Sequence, residues 1–206
     1  MTLLATLSAM DPTTLAAFIT AGLLLNLTPG ADVIYVTAAS LARGTRAGIF
    51  AGIGISLGVL THIALATLGV AAIIAANPGL YEAIRWAGVA YLIWLAILTW
   101  RAPGTTAAMA SSRHTIMRGW LTNILNPKVA LFILAFLPQF TTPGAGPPWQ
   151  QILILGLIFV TTGTAVTMAY AMLAGSLAQH LQSRQRALSR LSATLLAALA
   201  ARMAIQ

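Results

Sequence analysis

The sequence has no cysteine. Disulfides, dithiol redox chemistry and thiolate metal sites are therefore excluded, and the redox compartment leaves no mark on the chain. Acidic residues are nearly as scarce: Asp11, Asp32 and Glu82 are the only three in 206 residues. Intramembrane proteolysis by paired aspartates lacks its second carboxylate, and hard cations, which want several oxygen ligands, lack a cage. Charged residues of both signs make up 7% of the chain, against about 25% in soluble domains. What fills the space is apolar, with 59% hydrophobic residues and a mean hydropathy of +0.88, the composition of an integral membrane protein. The net charge of +8 raises a nucleic-acid partner, but most of the eleven Lys and Arg residues lie in short connections between apolar segments. Topology accounts for them, and no nucleic acid is expected. The amino terminus, MTLLATLSAMDPTT, lacks the basic region of a cleavable signal, so the first helix is expected to be retained.

A bilayer-spanning helix needs about 20 apolar residues. Segments of that kind run over 14–40, 47–76, 79–100, 118–138, 151–176 and 188–205. The expected fold is all-α, a single transmembrane domain over 1–206 with six helices. Arg43, Arg46, Arg101, Arg113, Arg118, Arg184, Arg186 and Arg190 fall in alternate connections, and Arg85 and Arg202 on the other side. By the positive-inside rule the larger group is cytoplasmic, which puts both termini in the periplasm. Trp100, Trp120 and Trp149 sit near segment ends, where an indole anchors at the interface. Ala102–Thr115, small and polar, reads as a mobile loop within a connection over 102–116.

Two of the apolar segments contain a helix breaker. LLLNLTPGADVIYV carries Pro29 and Gly30, and GWLTNILNPKVALFILAFLPQF carries Pro127. Each opens a set of three spans, 13–101 and 117–206, and an odd number of spans per set makes the two sets inverted repeats. Interrupted helices in an inverted pair, meeting near the midplane, are an architecture of secondary transporters. An internal proline costs about 3 kcal/mol or more and is tolerated in hydrocarbon only where the freed groups meet protein or water. A polar cavity between the repeats is the expectation. Kinking of packed helices is the structural alternative.

Charge stands beside both breaks, Asp32 near the first and Lys128 at the second. Each costs about 2.5–3.5 kcal/mol at the bilayer centre on insertion scales, so both are expected to face inward. They either form a structural ion pair or bound a substrate site in which Asp32 carries a proton. A small zwitterion fits such a site. Half-helices beginning near Gly30 and Lys128 turn N–H groups and positive dipole ends toward a carboxylate. Asp32, or the unwound carbonyls near Asn26, Thr28 and Asn126, accept from an ammonium group. Asn26, Thr28, Pro29, Gly30, Asp32, Asn123, Asn126, Pro127 and Lys128 are the candidate binding residues.

Gly44, Gly48, Gly52 and Ser56 recur every four residues, and Gly54 with Gly58 makes a second small-xxx-small pair. Helix packing within the subunit is the expected use, with packing between subunits of a homo-oligomer as the alternative. His62, one turn beyond Gly58, is either a packing residue or part of a proton relay. Glu82 and Arg85 are spaced to pair on one helix face. Thr161, Thr162, Thr164 and Thr167 are accounted for by bonds to their own helix carbonyls.

The two long motifs, NLTPGADVIYVTAASLARGTRAGIFAGIGISLG and GWLTNILNPKVALFILAFLPQF, resemble the LysE/RhtB family of bacterial amino-acid exporters, as does QRALSRLSATLLAALAARMAI at the end. The resemblance implies a six-helix inner-membrane carrier, not an enzyme, without cofactor, that expels amino acids or close derivatives against entering protons. Thr28, Pro29, Gly30 and Asp32, with Asn126, Pro127 and Lys128, match the family pattern. The chain departs from it at Ala31, where a second proline is usual, and at Ala193 and Ala200, where glycine is usual. The competing reading is a cation or metal-ion exporter, or a channel, of related fold.

Overall fold

The computed structural model describes residues 2–28, 30–68, 78–101 and 112–180, with positions 187, 190, 191, 193, 194, 197, 198, 201 and 204. Pro29, residues 69–77 and 102–111, Arg184, Arg186, Ala200, Arg202 and most of the expected sixth span lie outside the described residues, as does the side chain of Arg85. Every regular element among the described residues is helical.

A short helix, α1 (Leu3–Ala9), is capped by Thr2, whose hydroxyl accepts from the Ala5 N–H. It turns by 100° into α2 (Pro12–Leu27). Asp11 caps α2 by accepting from the Thr14 N–H at 2.8 Å, and Pro12 occupies the first turn, where its missing N–H costs nothing. α2 stops at Leu27, Gly30 is extended, and α3 (Ala31–Arg43) begins. Gly44, at φ +83°, makes the corner into α4 (Thr45–Thr67), a backbone conformation that suits glycine. α5 (Pro78–Trp100) follows, then α6 (Ser112–Ile124). After Leu125 and Asn126 the chain resumes as α7 (Pro127–Leu131), which widens into a π-helical turn over Phe132–Phe136 and tightens into 3₁₀ geometry to Phe140. α8 (Pro148–His180) is the longest element.

By length and composition α4 and α8 are able to cross a membrane. Counting α1 with α2, and α6 with the bent stretch to Phe140, gives up to four such spans among the described residues. Leu24, Leu57 and Leu173 are among the many large apolar side chains left on the outer surface, as suits a chain whose solvent is lipid.

Among the described residues α4 carries the most interhelical packing and α8 the next most. α8 meets α2 and the π-helical turn through Phe18, Phe132 and Phe159, with the Phe132 and Phe159 rings stacked at 4.8 Å. It meets α3 and α4 through Val36, Ala39, Ala51 and Ala171. α4 and α6 approach so closely that a Cβ on Gly54 would strike the carbonyl of Ile116.

Three expectations change. The connection expected over 102–116 is already helix from Ser112, because Thr115 is buried and its carbonyl takes the Tyr35 hydroxyl at 3.1 Å. The Trp120 indole N–H, expected to face water at the interface, donates instead to the Thr61 hydroxyl at 3.1 Å, tying α6 to α4. Gly44 has nothing within 4 Å of where a Cβ would stand, so it serves the corner and not the helix contact.

Candidate functional site

A proline carries no amide hydrogen, so it orphans the carbonyl four residues before it. For Pro29 that carbonyl belongs to Leu25, and for Pro127 to Asn123. Lys128 Nζ donates to the Leu25 carbonyl at 2.8 Å and to the Thr28 carbonyl at 2.8 Å. The Asn123 carbonyl accepts from the Asn126 N–H at 3.0 Å and from His62 Nε2 at 3.2 Å. A carbonyl can only accept, so Nε2 holds the imidazole hydrogen. Each interruption is thus closed by a basic side chain from the other half of the chain: Lys128 of α7 caps α2, and His62 of α4 caps α6. Both side chains sit at the negative end of the helix they cap, the favourable end for a cation.

Asp32 lies in the first turn of α3. Its two carboxylate oxygens accept from Asn126 Nδ2 at 2.8 Å and from Asn123 Nδ2 at 3.2 Å. The Asn126 side-chain oxygen caps α7, accepting from the Lys128 N–H at 3.1 Å. Asn126 therefore spans the gap between the carboxylate of one half and the helix start of the other. Through this amide α3 is tied to the start of α7. Asp32 and Lys128 line one cavity, the carboxylate held by the two amides and the ammonium by the two carbonyls.

That cavity is small, about 20 Å³, and Asn26, Gly30, Asp32, Ser56, Lys128 and Thr164 are on its wall. It has room for a water and no more. An amino acid enters only after side chains move. Gly30 lets the lysine lie flat against the interruption, since a Cβ there would stand 3.2 Å from Nζ and 3.5 Å from Cδ.

The other candidates spread outward. Asn26 donates to the Thr162 hydroxyl at 3.1 Å and faces the cavity. The exposed Thr28 hydroxyl returns to the Leu24 carbonyl at 2.7 Å, so that side chain is spent on capping α2. Pro127 opens α7. His62 is buried, and its Nδ1 has no hydrogen-bond partner among the described residues, nor has Asn123 Oδ1. Gly58 makes room for this group, because a Cβ on it would come within 2.6 Å of Asn123 Cβ. Gly52 faces Met168 of α8, and Gly48 faces Ser40 and Ala171. Packing of the glycine face therefore divides between α6 on one side and α3 with α8 on the other.

Sequence reasoning passed over the α8 wall. Thr164 bonds its own Val160 carbonyl, as expected, but it also meets the Ser56 hydroxyl at 2.7 Å across the cavity edge. Gly163 and Thr167 complete that wall. Ser56 stands in register with Gly48 and Gly52, a place where a hydroxyl instead of a hydrogen was the available signal.

The family model of LysE-type translocators matches residues 23–206. An uncharacterised membrane protein of Vibrio cholerae is 34% identical over 179 residues, which is 84% of this chain and 87% of the relative. A homoserine/homoserine lactone efflux protein of Salmonella typhimurium is 35% identical over 79% of this chain and 81% of its own. A leucine efflux protein of Klebsiella pneumoniae is 30% identical over 82% of both chains. No solved structure matches. The matched region contains both interruptions, the carboxylate and the lysine, and the chain belongs to the family of LysE-type translocators.

Proposed function

We propose that this chain is a secondary active exporter of amino acids or small amino-acid derivatives across the bacterial inner membrane, coupled to proton entry and working by alternating access. In this reading six helices form two inverted triplets, and α2–α3 and α6–α7 are each one interrupted span. Residues 26–32 and 123–128 then bound the substrate chamber. The observation that carries the reading is the seat made by the Leu25 and Thr28 carbonyls beside Asp32. It already holds a primary ammonium, that of Lys128, at hydrogen-bond distance.

Relatives named for leucine, and for homoserine and its lactone, favour the same chemistry. Leucine, homoserine and homoserine lactone all carry an ammonium group, whereas the lactone has no free carboxylate. An ammonium seat is therefore the recognition element that such compounds share. The carboxylate or ester end faces the free N–H groups at the start of α3. Asp32 is the carboxylate available to take a proton as the ammonium leaves. Support for that role comes from the bonds Asp32 accepts from Asn123 and Asn126, because a proton taken there would sit where the two halves are tied together.

The test is efflux from proteoliposomes loaded with labelled leucine, homoserine and lysine under an imposed pH gradient. Efflux of at least one that grows with inward proton flow, and falls about tenfold or more in Asp32→Asn, is the expected result. No efflux of any ammonium compound, with flux of an inorganic cation instead, supports the ion-carrier reading. Efflux unchanged in Asp32→Asn removes the carboxylate from the cycle.

A further inference from the structure

The geometry points to a second role for Lys128: it is a tethered stand-in for the substrate's ammonium group, closing the empty carrier, and it gives up its seat when substrate binds. The inference rests on the exporter reading above and goes beyond it by assigning Lys128 to the substrate-free step of the cycle.

What Nζ of Lys128 touches is backbone oxygen. Both of its described bonds, each 2.8 Å, go to backbone carbonyls at the end of α2, and one of these is the carbonyl that Pro29 leaves without a helical donor. A substrate ammonium is the same chemical group and would seek the same oxygens. With Nζ in place the chamber measures about 20 Å³, too small for an amino acid, so substrate and lysine compete for the seat. The seat also has a way out: Lys128 is half-buried, its stem lies along Gly30, and the Thr28 end of the seat is exposed.

In the exporter reading the carrier returns without substrate, with its proton on Asp32, and an unfilled ammonium seat makes that return costly, because the Leu25 carbonyl at the helix interruption is left without a donor. Lys128 removes that cost. It bridges α7 to α2 in the absence of cargo, as cargo would in its presence. A lysine that only contacted substrate would matter equally to loaded and empty steps. A stand-in matters to the empty step alone.

The absence of native cysteine gives a direct test. In Lys128→Cys the new thiol is the only one in the chain. Net efflux of leucine and homoserine from proteoliposomes is expected to fall about tenfold or more, the scale of one charged hydrogen bond. Exchange of internal labelled for external unlabelled substrate, which never visits the empty return, is expected to persist. Alkylation with 2-bromoethylamine, which rebuilds an ammonium at lysine's length, restores net efflux, whereas the neutral methyl methanethiosulfonate does not. Wild-type net efflux in the unmodified variant, or loss of exchange together with net efflux, overturns the proposal. The wild-type protein supplies an independent measurement, since Lys128 is its only lysine. Reductive methylation of that side chain, with formaldehyde in large excess over every amine present, is expected to quicken in saturating leucine or homoserine and to ignore N-acetyl-leucine, which has no ammonium. An unchanged or slower rate overturns the proposal. If the wild-type protein neither exports nor exchanges any ammonium compound, the exporter reading fails first, an outcome distinct from failure of the lysine's role alone.

Discussion

His62 shows how a single side chain is used at these interruptions. Its Nε2 is committed to the Asn123 carbonyl, and Asn123 in turn holds Asp32. The geometry makes it a positioning residue for the carboxylate. Its Nδ1 faces no partner among the described residues, so only one of its two nitrogens has a structural task. His62→Gln keeps an N–H donor at similar reach, and His62→Phe removes it. The Asn123 carbonyl keeps the Asn126 N–H when His62 is lost, so His62→Phe is expected to cost about 0.5–1.5 kcal/mol, the net worth of one hydrogen bond, read as a lower thermal midpoint in detergent, and His62→Gln less. A proton relay through the ring predicts instead that both variants shift the pH profile of transport alike. The profile of His62→Gln is expected to follow the wild type.

At the level of elements, the glycine-lined helix α4 separates two kinds of close contact. A Cβ on Gly54 would meet backbone, the Ile116 carbonyl and the Trp120 nitrogen, and backbone moves only if α6 moves. A Cβ on Gly52 would meet the Met168 methyl at 2.8 Å, the mobile end of a flexible side chain. Gly54→Ala is expected to destabilise by about 1–3 kcal/mol, as overpacking does, and Gly52→Ala by much less, read as thermal midpoints in one detergent. Equal effects would mean that α6 yields as easily as a methionine. Sequence spacing alone made these two glycines equivalent, because a repeat of four marks a smooth face without saying what lies against it. The interruptions were legible for a firmer reason. Proline removes a donor whatever its surroundings, and Asp32 and Lys128 are expensive in hydrocarbon, so Pro29, Pro127 and their neighbours announced a polar place. The partners were not legible. That Lys128 takes carbonyls, and that the carboxylate takes Asn123 and Asn126, depends on the distances between α2, α3 and α7, which no local pattern encodes. Ser56 and Thr164 stayed hidden because a hydroxyl that bonds its own helix looks complete in sequence.

For the whole molecule, the distribution of arginines assigns direction. The end bearing α1 and the α7–α8 connection is the periplasmic one in the proposed topology, and the start of α6 is cytoplasmic. Single cysteines report this cleanly in a chain that has none. The exposed Ser8, changed to Cys, is expected to react with a membrane-impermeant maleimide in intact cells, and the exposed Ser112, changed to Cys, only after lysis. The reverse pattern would invert the orientation. The crossed capping of the two interruptions has a further consequence, for ancestry. The Leu25 carbonyl is relieved by Lys128 from the other half of the chain, and the Asn123 carbonyl, already bonded by the Asn126 N–H, gains a second donor from His62. Replacing Pro127 by a residue with an N–H would make His62 redundant, and replacing Pro29 would do the same to half of the lysine's task. Neither half can then drift alone without changing what the other must supply, so Pro29 with Lys128, and Pro127 with His62, are expected to vary in step among descendants of this chain.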